Sequence, residues 1–151
     1  HSFGHDIEAT WLMDLACDTL GDEELKKQFA EMDLKISHNI QNIALDNGAL
    51  NNERENDKID KKRVWWVEAE SVVGFINAYQ HSGEKKFLES ARSVWEYIKA
   101  EMIDKREGSE WYSEVSYDHK PHDWKEIVGP WKCPYHNGRM CMEVINRGVD
   151  F

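Results

Sequence analysis

Cysteine is scarce and unpatterned in this chain: Cys17, Cys133 and Cys141 give an odd count with no CxxC pair in 151 residues. That excludes a disulfide framework and points to a reducing, cytoplasmic setting. Basic residues are also short, 19 against 29 acidic, for a net charge of -10. Nucleic acid is excluded as a partner, because phosphate recognition needs a basic footprint. No apolar run has transmembrane length and no leader pattern is visible, so no membrane partner is expected. There is no phosphate-binding loop and no short tandem repeat. Proline numbers only three, and two of these, Pro130 and Pro134, fix the backbone of a single segment.

What the chain has instead is apolar periodicity. With 40% apolar and 32% charged residues, it belongs to the globular class. Spacings of three and four predict a helix over about Gly4 to Leu20, with Ile7, Trp11 and Leu15 on one stripe. Gly21-Asp22 ends it and caps a second, which runs to about Asp46 and carries Leu25, Phe29, Met32, Ile36, Ile40 and Ile43. A third spans about Val64 to His81 and a fourth about Lys85 to Met102, with Ser82-Gly83 between them. A fifth is expected after Asn137, to about Arg147. The polar stretch Asp46–Asp57 suits a loop or short hairpin. Trp111–Val115 suits a short strand inside the long connection from Gly108 to Pro134, and long loops in a compact helical fold are usually functional.

Seven tryptophans are many for this length, and packing between helices accounts for most of them. The segment Gly129-Pro130-Trp131-Lys132-Cys133-Pro134-Tyr135-His136-Asn137-Gly138-Arg139 is the exception that points to chemistry. Where a loop enters a helix, it sets out a group for stacking (Trp131), one for moving a proton (His136) and one for holding charge (Arg139). His5 and Glu8 stand three apart at another helix entry, so both side chains can face one side. Glu8 is expected to orient His5 or to accept hydroxyls. Cys133 has no adjacent base and reads as structural.

These residues carry a resemblance. The segment around Trp131 and His136, with Gly4-His5-Asp6-Ile7-Glu8 and Trp65-Trp66-Val67-Glu68-Ala69-Glu70 before it, resembles the cellobiose 2-epimerase branch of the N-acylglucosamine 2-epimerase superfamily. Three motifs in the same order cover the chain from His5 to Arg139. The resemblance implies an all-α fold, an (α/α)6 barrel, of which this chain would be the C-terminal half of one catalytic domain. It implies C2 epimerisation of a reducing-end sugar without cofactor or metal, with His5 and His136 as acid/base pair. Glu8, Trp65, Trp66, Glu70, Trp131 and Arg139 would bind substrate, with Trp66 rather than Trp65 facing the pocket by helical period. Glu68 stands where close relatives more often carry glutamine. The absent N-terminal half would be a partner, and self-association of the isolated chain is expected.

Other readings fit parts of the pattern. The substrate could be a β-1,4 disaccharide, or N-acetylglucosamine or mannose as in cousins of this branch. An (α/α)6 glycoside hydrolase would use Glu8 and Glu70 as its two carboxylates. His119, His122, Cys133 and His136 are zinc-ligand types, although Pro121 interrupts the first pair. A non-catalytic sugar-binding fragment is the remaining reading.

Overall fold

The computed structural model describes residues 1–150. The chain is all-α at its centre, with five helices. Helix α1 (Phe3–Leu20) starts where Ser2 Oγ accepts from the His5 N–H, and ends at Gly21, whose φ of 68° allows the left-handed cap. Helix α2 (Glu23–Ile43) is capped by Asp22, which accepts from the Leu25 N–H at 2.9 Å. Helix α3 (Trp65–Ser82) stops at Gly83, also left-handed, and α4 (Lys85–Tyr97) follows at once. A π-helical turn, Ile98–Met102, extends α4. Helix α5 (Tyr135–Asn146) closes the described chain.

Three of the expected boundaries shift. Helix α2 gives way at Ile43 to a hairpin, β1 (Leu45–Asp46) with β2 (Ala49–Leu50). Asn47 and Gly48 both take positive φ there, as a tight two-residue turn requires. A second hairpin, β3 (Glu53–Glu55) with β4 (Lys58–Asp60), completes the loop. Helix α5 begins before Asn137-Gly138 rather than after it. Pro134 holds its N-cap position, and Asn137, buried inside the first turn, donates its amide to Glu110. The Asn-Gly pair therefore sits within a helix, where Pro134 and the Glu110 contact override its preference for turns. The expected strand is shorter than Trp111–Val115: only β6 (Glu114–Val115) pairs, with β5 (Arg63–Val64).

Cross-helix partners fix the layer order. Residues early in α1, α3 and α5 meet one another (Trp11 with Glu70, Glu8 and Glu70 with Arg139), and late residues meet late ones (Asp14 with His81, Asn77 with Arg147). These three helices are thus parallel neighbours, while α2 and α4 return antiparallel through the glycine turns behind them. That is the helix-hairpin arrangement of an (α/α)6 barrel, with α1, α3 and α5 inside. Helix α3 lies between its neighbours and is buried on every side from Val67 to Ala78. Gly74 lets α1 approach it, since a Cβ there would lie 2.5 Å from Ile7 Cγ1. Leu15 departs from its expected stripe: it is 49% exposed, while Ile7 and Trp11 are buried. Among the described residues, no helix is long and apolar enough to cross a membrane.

Candidate active site

The parallel inner helices bring their N-terminal turns to one end of the molecule, and the motif residues gather there. Trp66 is the hinge of the arrangement. Its ring centroid lies 4.7 Å from that of His5 and 5.7 Å from that of His136. Gly4 makes room for it: a Cβ on Gly4 would come within 2.6 Å of the indole. Trp65, one position earlier on α3, turns into the core and meets His136 edge-on at 5.2 Å. The helical period thus divides the two tryptophans, one half-exposed between the histidines and one buried behind them.

Each histidine is held through Nδ1. His136 Nδ1 lies 2.7 Å from Glu70 Oε1, so the carboxylate accepts the Nδ1 proton and leaves the Nε2 lone pair free. Glu70 is itself fixed: it is 1% exposed, and Trp11 Nε1 donates to its Oε2 at 3.0 Å. His5 is exposed and its Nδ1 lies 2.9 Å from Ser2 Oγ, the hydroxyl that caps the helix. The tautomer of this second ring is open, because a hydroxyl can donate or accept.

Arg139 sits at the centre of the acidic groups. Its Nη2 donates to Glu8 Oε1 at 2.6 Å and to Glu70 Oε1 at 2.7 Å, and Nη1 donates to the Tyr135 hydroxyl. The guanidinium also lies over the Trp11 and Tyr135 rings, at 4.8 and 4.5 Å. Burial alone would lower its pKa, but hydrogen bonds to Glu70 and Glu8 hold it above the usual arginine value. Glu8 departs from the expectation that it would orient His5: it turns to Arg139, and the histidine it approaches, at 4.0 Å, is His136.

Both competing carboxylate and metal patterns can be tested on this geometry. Ligand atoms of Glu8, Glu70 and His136 lie within 4.8 Å of one another, the only such trio among the described residues. Arg139 Nη2 bonds to both carboxylates there, so its charge takes the place a cation would occupy. The same spacing is too short for an inverting hydrolase, whose carboxyl groups stand roughly 6.5–9.5 Å apart with water between. The set His119, His122, Cys133 and His136 does not assemble. His119 faces Glu101 and Tyr97, His122 pairs with Glu114 at 2.6 Å, and His136 is committed to Glu70.

Beside the histidines opens a cleft of about 520 Å3, walled by Trp65 and Trp66 and by the loop that carries Trp124, Pro130 and Trp131. Trp131 is 95% exposed at its edge, while Lys132 next to it is buried, bound to Glu110 and to the Ile127 carbonyl. The loop is therefore anchored by its lysine and presents its tryptophan. Of the seven tryptophans, five are buried or half-buried and only Trp124 and Trp131 are exposed. Sequence reasoning missed Trp11 and Tyr135 as parts of the site. Trp11 follows Glu8 by three residues and Tyr135 precedes Arg139 by four, so helical spacing carried the signal. Trp11 had been assigned wholly to the core stripe.

Comparison with known proteins agrees in sequence and in shape. The family model for N-acylglucosamine 2-epimerase (GlcNAc 2-epimerase) matches residues 2–138. A cellobiose 2-epimerase from Ruminococcus albus is 81% identical over 150 residues, which is 99% of this chain and 39% of that protein. The crystal structure of a sugar epimerase from a ruminal bacterium superposes with a TM-score of 0.98 at 81% identity, covering 100% of this chain and 39% of the other. The cellobiose 2-epimerase of Bacillus thermoamylovorans gives 0.91 at 49% identity, covering 97% and 37%. The chain thus spans about two fifths of the length of these relatives.

Proposed function

The chain belongs to the N-acylglucosamine 2-epimerase family, and from that premise we propose that the whole protein is a sugar 2-epimerase. It inverts C2 of the reducing-end glucose or mannose unit of cellobiose or a related β-1,4 disaccharide. The observation that carries this reading is the placement of two histidines against one tryptophan, His5 and His136 on Trp66, beside an open cleft. C2 inversion needs two proton-transfer groups flanking one carbon, and this pair supplies them.

In the proposed reaction the hemiacetal opens to the aldehyde, whose carbonyl acidifies the C2 hydrogen. One histidine removes that proton, and the C–H electron pair forms the C1–C2 double bond while the carbonyl electrons move to O1. The product is a cis-enediolate. Rotation about C2–C3 turns the other face of C2 toward the second histidine. That group returns a proton to C2, the C1 carbonyl re-forms, and the ring closes. His136, with Nδ1 engaged by Glu70, works through Nε2; Arg139 contributes fixed positive charge near the developing oxyanion. No step calls for a metal or a nucleotide.

In this reading the chain supplies the C-terminal half of one barrel domain and is inactive alone. Apolar side chains on α5, Met142 and Ile145, are exposed, and an apolar hollow lies between Trp95, Met140, Val144 and Ile145. Self-association of the isolated chain follows from that surface and is checked by sedimentation at micromolar concentration; a monomer would count against it. The function is tested by incubating the full-length protein with cellobiose, and separately with N-acetylglucosamine, in deuterated water. The glucosyl-mannose product with deuterium at C2, formed in the presence of a chelator, is the expected result. Hydrolysis to glucose, or activity lost to the chelator, would overturn it.

A further inference from the structure

Trp124 is the one tryptophan of the cleft outside the expected substrate-binding set. It is 75% exposed and lies on the cleft wall together with Trp131. Its surroundings hold the ring in place. The His122 imidazole stacks on it at 5.4 Å and 26°, and His122 is tied to Glu114 at 2.6 Å. Lys125, over the ring at 5.6 Å, is tied to the same carboxylate at 2.8 Å. Glu114 in turn belongs to β6, which pairs with β5 at the foot of α3. The indole is thus braced from a buried strand.

The cleft also has the size of a ligand site: its volume of about 520 Å3 lies within the roughly 300–1,000 Å3 range of ligand pockets. Trp66 stands at its inner end against the histidines, and Trp131 and Trp124 both lie on the outer loop. Glu126 and Lys125 on the same wall offer acceptor and donor groups suited to hydroxyls.

We propose that Trp124 is a specificity-determining residue, a second aromatic platform on the cleft wall that stacks the third unit of a β-1,4-linked oligosaccharide. This rests on the carbohydrate reading of the site given above. An aromatic face binds the C–H surface of a pyranose irrespective of its hydroxyl pattern, so the residue selects chain length rather than sugar identity.

The test uses the full-length protein, with kcat/KM and calorimetric Kd measured for the β-1,4 trisaccharide cellotriose and for cellobiose. In Trp124→Ala, the ratio of trisaccharide to disaccharide kcat/KM is expected to fall roughly 3- to 10-fold, with the change in KM, and Trp124→Phe to recover most of it. The trisaccharide Kd should weaken by the same factor. Equal losses for both sugars would make Trp124 a support of its loop, and an unchanged ratio would leave it without a contact; either result overturns the proposal. A wild-type protein that binds both sugars but turns over neither would sink the epimerase reading, while the Kd ratio would still decide the role of Trp124. If it binds neither, both readings fall.

Discussion

The two ends of the inner helices are built from the same kinds of residues and behave differently. At the N-terminal end, Glu8, Glu70, His136 and Arg139 form one network; at the C-terminal end, Asp14 pairs with His81, and Arg147 separately bonds Asn77 and Gln80. Each has an arginine in α5 or just after it reaching to α3, and a histidine paired with a carboxylate. Only at the first end do long loops rise beside the helices and wall a cleft with tryptophans; at the other, the helices reverse through glycine turns. Both ends thus carry charged contacts and a hollow, of about 520 Å3 at the first and about 330 Å3 at the second, and the candidate reaction site is the one where loops add aromatic walls.

The comparison breaks first at the histidines. Replacing His136 or His5 with alanine in the full-length protein is expected to cost roughly 100- to 10,000-fold in turnover. His81→Ala should leave turnover close to wild type, since the part-buried His81–Asp14 pair lies at the opposite end of the inner helices from the cleft. Steady-state kinetics on cellobiose checks both, and near-normal turnover in His136→Ala would remove it from the mechanism.

The arginines sharpen the contrast in stability. Arg139→Ala leaves the buried Glu70 and the neighbouring Glu8 without their shared counter-charge, a change that costs about 3–5 kcal/mol. Arg147→Ala leaves the buried Asn77 amide oxygen without its donor, worth about 1–3 kcal/mol. Urea unfolding of the two variants should rank them in that order; equal losses would mean that the carboxylates at the first end find other partners.

A pH effect lies outside both sets of contacts. Glu68 is wholly buried under the β1–β2 hairpin, where its Oε2 accepts from the Leu50 N–H at 2.9 Å. Burial pushes its pKa from 4.5 up to about 8, against the smaller opposing effects of that hydrogen bond and of Arg63. The raised value means that the folded state keeps the proton while the unfolded chain loses it. Its contribution is fully present below about pH 4.5 and declines until about pH 8, by a few kcal/mol in order of magnitude. Glu68→Gln removes a titrating group and should flatten this decline in Tm between pH 5 and 8; a wild-type Tm already flat there would show Glu68 ionised or hydrated.

The smallest expected effect is at the cleft edge. Trp131→Ala should weaken use of a disaccharide by about 1 kcal/mol more than use of mannose, if the exposed ring stacks on the unit remote from C2 as the proposed function has it. Equal losses in kcat/KM for the two sugars would make Trp131 a support for its loop.

Much of the helical framework was legible in the sequence, because glycine caps and apolar spacing act locally. Gly21 and Gly83 stop α1 and α3 where expected. The difference in burial between Trp65 and Trp66 followed from helical period, although both wall the cleft. Boundaries failed where a distant contact outweighed a local preference: Asn137-Gly138 reads as a breaker, yet Glu110, far away in sequence, holds it in a helix. Of the two roles expected for Glu8, the orientation of His5 fails for a similar reason. Three-residue spacing placed it near His5, but a guanidinium from α5 is a stronger attractor than an imidazole one turn away.

What the sequence by itself determined is the set of parts: five amphipathic or buried helices, their glycine reversals, and histidines, carboxylates and tryptophans at three helix entries. These follow from interactions within a few residues, which a linear string records. The tertiary structure alone decided that the entries converge, that Arg139 bridges two carboxylates, and that Trp11 belongs to the site as well as to the core. It also decided which tryptophans are left to line a cleft. Those outcomes depend on parallel packing of α1, α3 and α5 through the close approach at Gly74, and on contacts between residues 59 to 131 positions apart.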